Sequence, residues 1–328
     1  MPMKEKVLKI LEQSRGNFIS GENIAEKLGV SRAAVCNAVK FLKSEGHRII
    51  SSTKIGYCLE KRSDALTEGG ITLNLRETSL IKKVICLDKI DSTNNYAKKL
   101  ALEGAVEGTL IVANQQTAGR GRRGHSFISP PGTGLYMTLI LRPNVETPEF
   151  QMITIAAAVS VCLAIEDLSP EAKPKIKWVN DIFLRGKKIC GILTEAITSF
   201  ESGEIESVIT GIGINISTKN FDEEIAQTAG AIFDNKNDEM KFTRDELAAR
   251  IADYVMEFSK KLDSQELIEA YKERSMLIGE DINYMKNDVK NKAHVIGIDD
   301  KGGLEIINED GKKEILRSGE VFMIRAIN

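Results

Sequence analysis

The chain has 328 residues, long enough for two or three domains and a sizeable core. Hydrophobic content of 42% and charged content of 28% are those of an ordinary globular chain, and a formal net charge of −2 points to no partner by itself. The charge is unevenly placed: residues 1–62 carry 12 Lys and Arg against 6 Asp and Glu, and the remainder carries 33 against 41. A basic N-terminal piece on an acidic body points to a nucleic-acid contact at that end. The five cysteines (Cys36, Cys58, Cys86, Cys162, Cys190) are scattered, with no C-x-x-C pair and no histidine at ligand spacing. This disfavours a zinc site and fits a reducing compartment. The first residues lack the apolar core of a signal peptide, and the longest apolar run, Met152 to Ile165, is expected to be a buried helix too short to span a bilayer. The expected location is cytoplasmic, with no membrane partner.

Val7, Leu8, Ile10 and Leu11 mark a short amphipathic helix over 4–13. Ser20 caps a second helix with Ile24, Ala25 and Leu28 inward, and Gly29-Val30 turns the chain. Ser31 caps a third helix with Val35, Val39 and Leu42 on one face. Arg32, Ala33, Asn37 and Lys40 lie on the other. Helix, short glycine turn and helix is the helix-turn-helix arrangement, and small, amide and cationic side chains suit a major groove. Ile49-Ile50 and Gly56 to Leu59 make a hairpin, the wing of a winged helix. A three-helix module that binds protein is the other reading of the same pattern.

Lys61 to Gly70 loses apolar periodicity and reads as a linker. Leu80 to Ile90 has strand character, and Asp91-Ser92-Thr93-Asn94 precedes a helix, so Asp91 or Ser92 is an N-cap candidate. Thr109 to Ala113 and Gly134 to Arg142 are strands. Glu149 to Leu168, almost wholly apolar, is a helix beneath a sheet. A meander follows: one strand over Lys175 to Leu184, a turn at Arg185 to Lys187, a strand over Lys188 to Ile197, a turn at Ser202-Gly203, and a strand over Ile205 to Ser217. Gly211 and Gly213 lie inside the last strand, where glycine weakens pairing unless something must approach the backbone. Phe221 to Asp238 is irregular, residues 243–274 make two helices, and hairpins with turns at Lys286-Asn287, Asp299 to Gly303 and Glu309 to Gly311 suggest a small SH3-like barrel.

Between two strands lies Gln116 to Gly124, with three glycines and three arginines in its last six residues. Gly119, Gly121 and Gly124 match G-x-G-x-x-G literally. The dinucleotide fingerprint needs a helix immediately after it, and Ser129-Pro130-Pro131-Gly132 cannot begin one. A loop able to fork onto phosphate or carboxylate oxygens remains, beside the plainer reading of a solvated or nucleic-acid-touching basic loop. Taken with Asp91 to Asn94, Lys177 to Asp181, Gly186 to Leu193 and Gly211 to Asn215, it makes one candidate pocket. His47, His125 and His294 adjoin no nucleophile, and no Gly-x4-Gly-Lys-Ser/Thr run occurs. Arg120, Arg122, Arg123, Lys177 and Lys188 suit a polyanion, hence phosphoryl or nucleotidyl transfer.

These motifs, with Lys177-Trp178-Val179-Asn180-Asp181-Ile182 and Gly186 to Leu193, resemble the biotin–protein ligases. The N-terminal module makes the chain similar to the bifunctional form, a ligase that also represses biotin genes. The resemblance implies an α+β multidomain chain. It would have a winged helix-turn-helix domain over 1–63, a mixed α/β ligase domain over 64–275 and an SH3-like β-barrel over 276–328. It implies biotin, ATP and Mg2+ as reactants. It also implies the biotin carboxyl carrier protein and operator DNA as partners, and a homodimer once the adenylate is bound.

Carried over by residue, Ser92, Thr93, Asn94, Gln116, Arg120, Gly121, Arg122, Lys188 and Gly191 would bind biotin. Arg122, Arg123, Asn180, Asn215 and Arg317 would bind the nucleotide. Lys188, Arg120, Lys177 and Asp181 would be catalytic, and Ser31, Arg32, Ala33, Asn37 and Lys40 would bind DNA. Asp181 would handle a proton, position magnesium or only pair with a lysine, and Arg317 is otherwise a surface charge. No resident metal is expected. The family's usual proline is here Val179, and the aromatic after the arginine run is Phe127. A sensor that binds without catalysis, or a ligase for lipoate or octanoate, are the competing readings. Lys188, Arg120 and Asn180 favour a working ligase.

Overall fold

The computed structural model describes residues 2–61, 63–143, 150–199, 203–219, 221–234, 240–286 and 289–324. Glu149, Ser202, Asn287 and residues 235–238 of the polar stretch lie outside the described residues. The chain packs as two compact units, Met1–Ser79 with Glu239–Arg250, and Leu80–Asp238 with Ile251–Asn328.

In the first unit α1 (Met3–Gln13), α2 (Gly21–Leu28) and α3 (Arg32–Ser44) precede a hairpin of β1 (Ile49–Ser52) and β2 (Gly56–Leu59). Val7, Leu8, Leu11, Ile24, Val35, Val39 and Leu42 close on one another as the core, following the helical period of the sequence. Ser20 and Ser31 accept the capping N–H bonds of Asn23 and Ala34. Gly29 terminates α2 in the left-handed region at φ 65°, where a side chain would be strained. Arg32, Ala33, Asn37 and Lys40 are exposed, as expected, with Ser31 at the start of the same helix.

The linker expected over 61–70 is instead partly helical: α4 (Glu68–Asn74) begins there, capped by Thr67, whose hydroxyl accepts from Gly70 N–H. Two glycines in its first turn hide it from a propensity reading. The first unit also takes in the start of α8 (Arg244–Phe258). The Arg244 guanidinium donates to Asp64 at 2.8 Å, and Asp245 accepts from Thr67 N–H at 3.1 Å. Burial pushes the Asp245 carboxyl well above its ordinary range, although the Thr67 N–H and Arg244 act against it.

His47 is buried beside Thr67, and burial lowers its pKa from 6.5 to about 4, with Arg15 and Lys4 adding to the effect and Glu45 opposing it. Between those values the folded state holds fewer protons than the unfolded one, so stability falls as pH drops from 6.5 to 4. The loss reaches about 3 kcal/mol at the acid end. Urea unfolding at pH 7 and pH 5 should show a steeper fall for the wild type than for His47→Gln. Equal falls would refute the assignment.

The second unit is built on a seven-stranded mixed sheet. Its members are β3 (Lys83–Ile90), β4 (Thr109–Gln116), β5 (Gly134–Leu141), β6 (Lys175–Lys177), β7 (Asp181–Leu184), β8 (Lys187–Thr198) and β9 (Ile205–Asn215), in the order β3-β4-β5-β9-β8-β7-β6. Only β3 and β4 run parallel, joined through α5 (Thr93–Leu102) as the crossover. Every residue of β5 is buried, which its largely apolar run anticipates.

The single strand expected over 175–184 is a tight hairpin. β6 and β7 pair antiparallel with Lys177 opposite Asp181, and Trp178, Val179 and Asn180 make the turn. Alternation alone does not reveal a reversal this short. Trp178 is buried and its indole N–H donates to the Gly302 carbonyl at 2.9 Å.

α6 (Phe150–Leu168) packs on β7, β8 and β9 and on α9 (Gln265–Arg274). Its 19 residues are long and apolar enough to cross a membrane, contrary to the expectation of a run too short, but 72% of its most apolar window is buried within the protein, as in a core helix. The irregular stretch after β9 contains one helical turn, α7 (Glu223–Ala226).

At the C-terminal end β10 (Asp281–Lys286), β11 (Val289–Ile298), β12 (Leu304–Asn308), β13 (Lys313–Leu316) and β14 (Val321–Met323) form an antiparallel sheet in the order β13-β12-β11-β10-β14. Among the described residues β13 and β14 are its two edges, so the sheet is seen without the closure of a barrel.

Candidate active site

Where β8 and β9 pass the start of α5, the sheet carries glycine at Gly191, Gly211 and Gly213. A Cβ on Gly211 would lie 2.0 Å from Asn94 Oδ1, and one on Gly213 would lie 2.7 Å from the Phe127 ring. The two glycines inside a strand are thus explained by close approach to their backbone. Above this floor is a cavity of about 440 Å³, a size suited to a small ligand. Ser92, Thr93, Asn94, Gln116, Arg120, Gly121, Arg122, Arg123, Phe127, Lys177, Asn180, Asp181, Lys188 and Gly191 all line it.

One wall is made of amides and hydroxyls. Gln116 Oε1 accepts from Thr93 N–H at 2.8 Å and from the Thr93 hydroxyl at 3.1 Å. Gln116 Nε2 donates to Ser129 Oγ at 3.0 Å, which fixes the amide's orientation. Ser92 stands at the N-cap position of α5, yet its hydroxyl makes no capping bond, so capping does not account for it. The Thr138 hydroxyl, on fully buried β5, lies 2.8 Å from both Thr93 Oγ1 and Asn94 Oδ1. These side chains hold rigid donors and acceptors along an apolar floor.

The opposite wall is cationic. Lys188 Nζ lies 2.8 Å from Asp181 Oδ1 across the β7–β8 pair. Arg122 Nη1 donates to Asn180 Oδ1 at 2.8 Å, and Asn180 Nδ2 donates in turn to the Ile192 carbonyl at 3.0 Å. Half-buried Lys177 sits 5.4 Å above the Phe322 ring. Burial depresses its ammonium pKa, with Lys188 adding repulsion and Asp181 and Glu320 partly restoring it. An anionic ligand would relieve this crowding of like charge.

The arginine loop folds back on itself as a roof. Phe127 N–H donates to Gly119 O at 2.9 Å, and Gly121 N–H to His125 O at 2.7 Å. A 3₁₀ turn at Arg122–Gly124 carries Arg123 at φ 53°, a conformation uncommon for a non-glycine residue. Arg123 lies 3.3 Å from Glu320, next to β14. Phe127, the aromatic after the arginine run, meets Tyr136 edge-on at 6.3 Å between centroids.

Two residues expected near a nucleotide stand apart from this lining. Asn215 is buried at the end of β9, with its side-chain oxygen lacking a hydrogen-bond partner among the described residues. Arg317 donates to Asp299 at 3.0 Å as an ion pair. Sequence reasoning missed Thr138, Ser129, Glu320 and Phe322. A lone hydroxyl inside the apolar run of β5 was the available signal for Thr138. Glu320 and Phe322 reach the cavity only through tertiary packing, and Ser129 supports it through Gln116.

Residues 86–215 match the biotin/lipoate A/B protein ligase family, and residues 4–58 match an HTH domain. The chain is 38% identical over 232 residues to the bifunctional ligase/repressor BirA of Bacillus spizizenii, covering 70% of each protein. It is 28% identical to its Escherichia coli counterpart over 315 residues, 94% of each. Among solved structures, the biotin protein ligase from Aquifex aeolicus in complex with biotin and ATP superposes with a TM-score of 0.64 at 28% identity, over 75% of this chain and all of that one. With a ligase domain that houses the cavity and a helix-turn-helix ahead of it, this chain belongs to the bifunctional biotin–protein ligase and repressor family.

Proposed function

We propose that the cavity activates biotin with ATP and passes it to a lysine of a biotin carboxyl carrier protein. The observation that carries this reading is the pairing of a hydroxyl and amide wall with a cationic wall across one glycine floor. A neutral ureido ring suits the first and a carboxylate beside a triphosphate suits the second. Biotin's carboxylate oxygen attacks the α-phosphorus, the bond to pyrophosphate breaks, and biotinyl-AMP forms. The carrier amine then attacks the acyl carbon, AMP leaves and the amine loses its proton. A carboxylate is already the nucleophile, so the first step needs no histidine.

In this reading Ser92, Thr93, Asn94, Gln116 and Gly191 hold the biotin head. Arg120, Gly121 and Arg122 close over it. Lys188 contacts the reacting oxygens, Asp181 orients Lys188, and Lys177 adds positive charge. Arg122, Arg123 and Asn180 take the nucleotide, with Asn215 and Arg317 behind them. Asp181 and Glu320 are the carboxylates in the cavity lining, so magnesium fits best as the ion carried by the triphosphate.

Residues 1–63 form a winged helix that represses biotin genes, with Ser31, Arg32, Ala33, Asn37 and Lys40 on operator DNA. Residues 64–275 form the ligase domain, and residues 276–328 an SH3-like domain. Adenylate binding orders the arginine loop and favours a homodimer that spans two half-sites in the cytoplasm.

Incubated with biotin, ATP and magnesium, the protein should add one biotin mass to a carrier domain. Lipoate in place of biotin should add nothing. An unmodified carrier beside folded protein would leave a binding-only sensor, and efficient lipoate loading would reassign the substrate. Sedimentation with and without biotin and ATP, repeated with DNA from upstream of biotin genes, tests the dimer. Monomers under all conditions would remove that part.

A further inference from the structure

Glu195, on β8, lies outside the cavity lining, yet three of the groups that shape the cavity or its supports converge on its carboxylate. Asn94 Nδ2 donates to Oε2 at 2.9 Å, and Lys98 Nζ donates to Oε1 at 2.6 Å. Asn94 and Lys98 are one turn apart on α5, so one carboxylate holds two successive turns of the same helical face. Arg120 Nη1 lies 3.6 Å from the same Oε1 and also donates to Asn95 Oδ1 at 3.1 Å. Asn95 Nδ2 donates to Asp91 at 2.8 Å. The side chain of Glu195 is 19% exposed, against 47% for Arg120, so the carboxylate is the more buried partner and the arginine the more exposed one.

The remaining bonds of Asn94 make its orientation depend on this carboxylate. Its Nδ2 also donates to the Leu193 carbonyl at 3.2 Å, and its Oδ1 faces the Thr138 hydroxyl over glycine at 211. Without an acceptor at Glu195 one amide hydrogen loses its partner in a half-buried place, which costs more than the bond itself contributes. Burial pushes the Glu195 carboxyl up, but its bonds from Lys98 and Asn94 and the charge of Arg120 outweigh it, so it is held below the usual carboxylate range and stays ionised at neutral pH.

We propose that Glu195 is a positioning residue that serves two parts of the site at once. Through Asn94 it presets the biotin-head wall, and through Arg120 it gives the arginine loop a charged anchor when it closes. The proposal rests on the biotin reading of the cavity and assigns to one carboxylate the coupling between the wall and the roof. Biotin affinity and retention of the adenylate depend on it separately, because the first needs only an acceptor and the second needs a charge.

The test compares Glu195→Ala with Glu195→Gln in the full chain. Calorimetry should show biotin binding weakened by roughly ten-fold or more in Glu195→Ala. In Glu195→Gln, which keeps an acceptor for Asn94, biotin affinity should return to near the wild-type value. Release of preformed biotinyl-AMP, followed by stopped flow, should be faster than wild type in both variants, because neither offers Arg120 a charge. Biotin affinity unchanged in Glu195→Ala would overturn the role toward Asn94, and wild-type adenylate release from Glu195→Gln would overturn the role toward Arg120. Parallel loss of biotin affinity, ATP affinity and melting temperature in both variants would mark the group as merely structural. Wild-type protein that binds biotin but releases no pyrophosphate with ATP would count against the ligase reading while the binding comparison still decides the role toward Asn94.

Discussion

Replacing Lys188 with alanine should reduce biotin-dependent pyrophosphate release on the order of 10²–10³-fold, the effect of removing one preorganised charge from developing oxyanions. The ammonium is held in place by Asp181 at 2.8 Å from the facing strand, so little reorganisation is needed when negative charge builds on the α-phosphate. Lys177 and Arg122 stay behind in the variant and should preserve part of the ATP affinity. The loss is therefore expected in kcat more than in KM for ATP. Stopped-time release of pyrophosphate with and without biotin measures it. A rate within about three-fold of wild type would remove Lys188 from the reacting oxygens, since a loss that small is worth under 1 kcal/mol.

The second large effect concerns stability. Asp64→Ala should destabilise the N-terminal unit by about 3 kcal/mol. It removes the carboxylate that accepts from Arg244 Nε at 2.8 Å and from Arg244 N–H at 2.7 Å, beside a guanidinium whose side chain is only 7% exposed. The figure sits at the low end of the range for a broken buried pair, because Asp64 itself is 20% exposed. Urea unfolding followed by circular dichroism should resolve it. The paired replacement Asp64→Leu with Arg244→Met should recover most of the loss, since the buried cation is removed together with its carboxylate. A double variant as unstable as Asp64→Ala would show that the lost stability lies in packing around Asp64 rather than in the broken ion pair.

The N-terminal module and most elements of the ligase unit were legible because each is announced locally. Caps at Ser20 and Ser31, the left-handed glycine at 29 and the helical spacing of Val35, Val39 and Leu42 act within a few residues of one another. The nearly all-apolar runs of β5 and α6 announce buried elements. The elements misread were those whose local signal is weak or contradicted. α4 opens on two glycines, and the β6–β7 hairpin turns within three residues that alternate like a strand. α6 passes the length and hydropathy test of a membrane span because a span and a core helix differ in surroundings, not in composition.

For the site, the sequence alone was enough to bring Gln116, Arg120, Arg122, Lys177, Asn180, Asp181 and Lys188 together as a candidate set, since their types and motifs indicate an anion activated beside phosphates. What they touch was decided by the tertiary structure. Lys188 faces Asp181 because β7 and β8 pair antiparallel, with the register shifting between Ile182 and Phe183. Glu195 meets Asn94, Lys98 and Arg120 because α5 crosses over the sheet. Glu320 and Phe322 reach the same cavity from the C-terminal sheet, more than a hundred residues along the chain. Hydrogen bonds and charge interactions act over a few ångströms in space, whatever the separation in sequence. Residue type and spacing therefore determined the chemistry available, and the fold decided which groups share it.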